Sequence, residues 1–204
     1  MTTAADRVLP AGPPTAARHP LFIATGSVVA AGTMLMFGML AVWFKFRDAS
    51  PLRVGRNNKM IHDWLPADLK IPEVATNTLA ITMAIAAIMG QWAVYSATRK
   101  DAQHTTLALF ITGLIGVAAI NAQVAIYKQM GAVLADGAYQ TMFYAITGTM
   151  LVLISTGVAF SLVAAFRVLG GRVADRAVVT AHAMYWYFLT TAFTALWFVV
   201  YVQK

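Results

Sequence analysis

The sequence predicts an all-α integral membrane protein, a bundle of five transmembrane helices, and three observations predict it. Of the 204 residues, 59% are hydrophobic and only 11% are charged, whereas a soluble domain carries about a quarter charged residues. The mean hydropathy is +0.67. Five apolar runs are each long enough to cross a bilayer, since a hydrocarbon core about 30 Å thick needs about 20 residues at a rise of about 1.5 Å each. The runs are continuous rather than alternating, which points to helices and not barrel strands.

The elements follow in order. Residues 1–20 form a polar tail containing Ala11-Gly12-Pro13-Pro14. The run behind it is too long for the core of a signal peptide, and no small-residue cleavage site follows, so it reads as a retained helix. Residues 21–204 form one transmembrane domain, with spans at about 21–46, 74–97, 105–127, 140–166 and 178–202. The first span closes on Trp43-Phe44-Lys45-Phe46-Arg47, aromatics followed by bases, as expected at an interface. The polar loop after it holds Pro51, Pro66 and Pro72. It is expected to lie on the membrane surface, anchored by Trp64. The second span stops at Arg99-Lys100-Asp101, and the fourth ends at Arg167 before Gly170-Gly171-Arg172.

Composition also excludes function classes. There is no Cys, hence no disulfide, thiolate metal site, cysteine nucleophile or iron–sulfur cluster. The net charge of +7 is spread over loops and ends. That fits basic flanks of spans against anionic headgroups, and not a nucleic-acid partner, which needs a clustered basic face. The middles of the spans carry no Asp, Glu, Lys, Arg or His. A charge there costs a few kcal/mol at least and is kept when it moves protons, binds ions or ligates haem. The chain is therefore expected to be a partner subunit of a chain that carries such chemistry. An independent transporter or channel is the alternative.

Candidate ligands are few. His19 lies in the tail and His62 in the loop, while His104 and His182 stand at the starts of the third and fifth spans, where a solvated interfacial setting is expected. These positions oppose a b-type haem. His62 and Asp63 are adjacent, a poor chelating pair. Asn77, Gln91, Asn121 and Gln123 within spans are expected to hydrogen-bond to neighbouring helices. Gly26, Gly32, Gly113, Gly116, Gly148 and Gly157 are expected to let helices approach closely, Gly148 among them. Bases on the two sides nearly balance; those in short loops near span ends favour a cytoplasmic N-terminus.

The last span reads Met184-Tyr185-Trp186-Tyr187-Phe188, then Trp197-Phe198-Val199-Val200-Tyr201. This resembles the final helix of subunit III of haem–copper terminal oxidases, with its Tyr-Trp-His-Phe pattern and a late Tyr. Phe143-Tyr144-Ala145-Ile146-Thr147-Gly148 resembles the family's Phe-Tyr-x-x-Thr-Gly, and Gln123 with Tyr127 fits the outer positions of Gln-x-x-Glu-Tyr. Trp64 and Pro66 sit in a long loop after the first helix, as in the bacterial five-helix form. The departures are specific. Thr33 stands where the family often has Glu, Ile126 replaces the third-helix Glu, Met150 and Leu153 replace a pair of His, Tyr187 replaces a His and Thr190 an Asp.

The resemblance implies a non-catalytic membrane subunit that packs on oxidase subunit I and binds phospholipids in aerobic respiration. The parent complex is expected to be an aa3-type cytochrome c oxidase, with a quinol oxidase or a nitric-oxide-reductase-type complex as alternatives. Haem and copper are expected in the partner subunits and no cofactor in this chain. Its place would be the inner (plasma) membrane of a bacterial cell. The resemblance also implies that the first two helices stand apart from the other three across a lipid-filled cleft. Thr33, Gln123, Tyr127, Thr147, Gly148, Tyr185, Trp186 and Tyr187 are the candidate lipid or subunit contacts; no catalytic or metal residue is expected.

Overall fold

The computed structural model describes residues 20–55, 58–67, 69–171 and 176–203. The expected tail, with His19, lies outside the described residues except for Pro20, as does Arg172. Five helices make up the bundle: α1 (Pro20–Asp48), α2 (Glu73–Thr98), α3 (Ala102–Met130), α4 (Ala138–Leu169) and α5 (Arg176–Leu196). The last continues as a π-helical segment, Trp197–Val202. All five are long and apolar enough to cross a membrane.

Local sequence sets the helix ends. Asp101 caps α3, its carboxylate accepting the His104 backbone N–H at 3.0 Å, which satisfies one of the free donors of a first turn. Gly131 ends α3 at φ 61°, its N–H bonded to Tyr127 O, a left-handed cap that a side chain would strain. The polar residues at its ends, from Gln103 to Gln129, carry α3 past its apolar stretch.

Between α1 and α2 the loop forms a short antiparallel hairpin, β1 (Leu52–Val54) with β2 (Met60–His62), pairing Leu52 with His62 and Val54 with Met60. Trp64 does not anchor this loop in the headgroups. It is 5% exposed, packed edge-on against Trp43 of α1 at 5.1 Å and Tyr139 of α4 at 5.6 Å between ring centroids. The indole is large enough that closing the end of the bundle removes more apolar area from water than lying at its surface.

Helices α1 to α4 are apolar around their full girth, so hydrophobicity does not say which of their faces turns inward. Small residues do. Trp186 of α5 is fully buried and sits in a hole left by three glycines. A Cβ on Gly116 of α3 would lie 2.7 Å from its ring, one on Gly157 of α4 3.3 Å, and one on Gly90 of α2 3.9 Å from its Cβ. Gly32 of α1 takes the ring of Phe188 in the same way, at 2.6 Å. Gly148 does not share this role: a Cβ there meets nothing within 4 Å. It lies on the outward side of α4.

The helix order also differs from a two-plus-three division. α2 packs most extensively on α3 and next on α5, α3 packs on α4, and α1 leans on α5 with a smaller contact to α4. The one helix set to the side is α1. The small residues of α2, Ala86, Gly90, Ala93 and Ala97, are all buried, and they bring α2 against the bundle.

Candidate functional site

The sequence-derived candidates fall into three places. Gln123, Tyr127 and Thr147 meet at the end of the bundle that holds the hairpin. Gln123 and Tyr127 lie one turn apart on α3, so their side chains share a face. The Gln123 amide exchanges hydrogen bonds with Tyr201 Oη at 3.1 and 3.2 Å. Tyr127 Oη donates to Thr147 Oγ1 at 2.7 Å, and the Thr147 hydroxyl donates to Phe143 O at 2.6 Å. Tyr144 Oη closes the group on Ala132 O at 2.7 Å. Aromatic rings wall it: Tyr127 lies 4.8 Å from Tyr144 and Phe143 6.0 Å from Tyr201. Ile126 between them is fully buried. Beside this group, Trp64 Nε1 and Tyr139 Oη are buried with no hydrogen-bond partner among the described residues.

Tyr185 and Trp186 face α4 instead. Tyr185 Oη donates to Leu153 O at 3.0 Å. Trp186 Nε1 donates to Ser161 Oγ at 3.1 Å, and Ser161 Oγ lies 2.7 Å from His182 Nε2. His182 is therefore not solvated at an interface. It is fully buried, one helical turn before Trp186, with the ring of Phe160 at 5.5 Å. The small Ser161 opposite leaves room for the imidazole, a pairing that a residue-by-residue reading of α5 does not reveal. Ser161 was the missing signal: a polar residue among small ones on the face of α4 that meets α5.

Thr33 and Tyr187 share the third place, a groove. Val29, Thr33 and Phe37 of α1 and Met184, Tyr187 and Thr191 of α5 line a cavity of 290 Å³. At Tyr187 it adjoins a hollow of 520 Å³ walled by Ile88, Trp92 and Tyr95 of α2. The groove thus runs between α1 and α2 over α5. Two of its polar groups are already engaged: Thr33 Oγ1 donates to Val29 O at 2.7 Å, and Tyr187 Oη donates to Gln91 Oε1. The walls that remain are mostly apolar and suit a hydrocarbon chain. Further along, Thr190 of α5 donates to Met83 O at 2.9 Å, and Trp197 Nε1 of the π-helical segment to Asn77 Oδ1 at 3.0 Å. Tyr187 and Thr190 of α5 and Trp197 of the segment after it therefore clasp α2, each bond worth on average about 0.6 kcal/mol in a membrane.

Outside the membrane, His104 and Asp101 pair at 2.6 Å, and the His104 backbone N–H, with its ring, holds the Asp101 carboxyl below its usual 3.8. Asp63 is engaged by Arg53 at 3.0 Å, which removes it from any chelation with His62. Among the described residues no three His, Cys, Asp or Glu gather as a metal site.

A model of the cytochrome c oxidase subunit III family matches residues 22–204. A search among curated proteins finds no match.

Proposed function

This chain belongs to the cytochrome c oxidase subunit III family, a multi-pass membrane subunit of haem–copper oxidases, and we propose that it is the non-catalytic subunit III of an aa3-type cytochrome c oxidase. It packs on subunit I, which with its partners carries haem and copper, and it holds phospholipid in the groove between α1 and α2. The membrane is the bacterial plasma membrane, with the N-terminus on the cytoplasmic side. The observation that carries this reading is how the polar groups of the helices are used. Gln91 with Tyr187, Gln123 with Tyr201, Tyr127 with Thr147 and His182 with Ser161 are paired helix to helix. Such pairs tie a scaffold together; the group at Gln123 and Tyr127 lies at one end of the bundle, and the pairs do not line a path across it.

Lipid binding is supported by the groove's shape. Its apolar walls open along the bundle, and the aromatic residues Phe37, Phe188 and Trp92 flank a space that suits acyl chains better than water. Deleting the chain tests the role. Subunit I should still bind haem and reduce O2, with shorter-lived activity. Loss of haem from subunit I on deletion would overturn a peripheral place for this chain.

A further inference from the structure

We propose that the β1–β2 hairpin is a membrane-surface anchor whose apolar face, Leu52, Val54 and Met60, inserts among the headgroups of anionic phospholipids. Strand alternation and register put these three side chains on one face with His62, and Arg53 and Ile61 on the other. All three are exposed, Val54 by 63% and Met60 by 61%. Exposed apolar side chains gathered on so short a hairpin need cover, because two strands alone are marginal in water.

The position supplies a surface. Phe44 and Phe46, both exposed, mark the interface at the end of α1. The chain cannot travel far beyond it. Asp63 N bonds to Pro51 O at 2.7 Å, which closes the neck of the hairpin. Trp64, buried against Trp43, then ties that neck to the bundle. The hairpin is held at headgroup level.

Charge and size select the occupant. Lys45 and Arg47 lie in the last turn of α1, and Lys59 and Lys70 are exposed in the same loop. Asp63 is neutralised by Arg53, leaving Asp48 and Glu73 against four bases among the described residues. Such an excess next to an apolar patch suits anionic lipid. A protein partner is disfavoured by size, since a specific interface takes about 800 Å² from each side and this face offers three side chains.

The chain has no cysteine, so Val54→Cys can carry a single environment-sensitive fluorophore on the full chain, in the assembly in which it purifies, reconstituted into vesicles. Met60→Cys is a second site on the same face. Quenching by lipid-borne nitroxide, with a blue-shifted emission, is expected in vesicles of phosphatidylcholine and phosphatidylglycerol. Both effects should weaken in phosphatidylcholine alone. Quenching by aqueous iodide in place of nitroxide would overturn the proposal, and so would protection from both quenchers, the sign of a protein partner. Equal insertion without phosphatidylglycerol would overturn the choice of anionic lipid. The readout depends on the membrane and not on oxidase membership, so the two readings fail separately.

Discussion

Ser161 of α4 and His182 of α5 stand 2.7 Å apart, Oγ to Nε2, in the buried interior of the bundle. The serine hydroxyl has one proton and two lone pairs. It donates to Gly157 O at 2.9 Å and accepts from Trp186 Nε1 at 3.1 Å. Its remaining lone pair is then left to accept a hydrogen bond from the His182 Nε2–H. One hydroxyl thus satisfies three groups on two helices.

Replacing Ser161 with Ala should therefore orphan two buried donors at once. Each such group costs about 1–3 kcal/mol, so Ser161→Ala should lower the stability of the purified protein by about that much or more. Thermal unfolding in detergent, followed by tryptophan fluorescence, checks it. A change no larger than that of Ser155→Ala, whose exposed hydroxyl bonds to Leu151 O on its own helix, would contradict the shared role.

Gly116 and Gly148 should respond differently. A Cβ on Gly116 would lie 2.6 Å from Val158 Cγ2 and 2.7 Å from the Trp186 ring, and a fully buried indole has nowhere to go. Gly116→Ala should cost about 1–3 kcal/mol and reduce the yield of folded protein. Gly148→Ala should leave the isolated chain unchanged. If the open face of Gly148 meets another subunit, Gly148→Leu should release the chain from its complex while its own melting stays the same.

The pair Tyr127–Thr147 should couple. Tyr127→Phe removes the bond between the two hydroxyls, worth about 0.6 kcal/mol in a membrane; Thr147→Val removes that bond and also the Thr147 bond to Phe143 O. The double variant should lose less than the sum of the two. Additive losses in a double-mutant cycle would show that the hydroxyls do not act together.

Asp101 gives a pH dependence. Its carboxyl is held below 3.8 in the folded chain, first by the His104 N–H. A carboxylate with a lowered folded value stabilises above its unfolded value, and that contribution disappears as pH falls through the folded one. Acidification below the carboxylate range should thus loosen the start of α3. Asp101→Asn keeps a capping oxygen and should flatten this acid limb, read as melting temperature against pH.

How much of this could be read from sequence depends on what each residue answers to. The five helices were legible because span length is set by bilayer thickness, a one-dimensional constraint. Which glycines matter was not. Gly116, Gly148 and Gly157 look alike along the chain, and only the positions of Trp186 and Leu189 on another helix distinguish them. The same holds for the candidate contacts. Tyr185, Trp186 and Tyr187 are consecutive, yet they reach Leu153, Ser161 and Gln91, because successive residues on a helix point about 100° apart. The burial of Trp64 was hidden for a further reason, since its partners Trp43 and Tyr139 belong to two other elements. The resemblance carried the family well because its motifs are local runs. It carried the helix arrangement poorly, because α2 is placed by small residues facing α3 and α5.

The groove offers a direct check on lipid. Thr33 faces the cavity shared with Tyr187, so Thr33→Trp should fill it. Native mass spectrometry should then find less phospholipid retained per chain, with the oxidase otherwise assembled. Unchanged lipid retention would place any bound lipid elsewhere.

The central claim is that this chain is a subunit of a haem–copper oxidase and holds no redox centre itself. The most direct measurement is affinity purification of the tagged chain from its native membrane in mild detergent, with haem, copper and protein stoichiometry determined together. The account predicts one copy of the chain with a haem- and copper-bearing subunit I, and a chain free of haem and copper once dissociated. A chain that purifies without any oxidase subunit, or that keeps haem when alone, would contradict it.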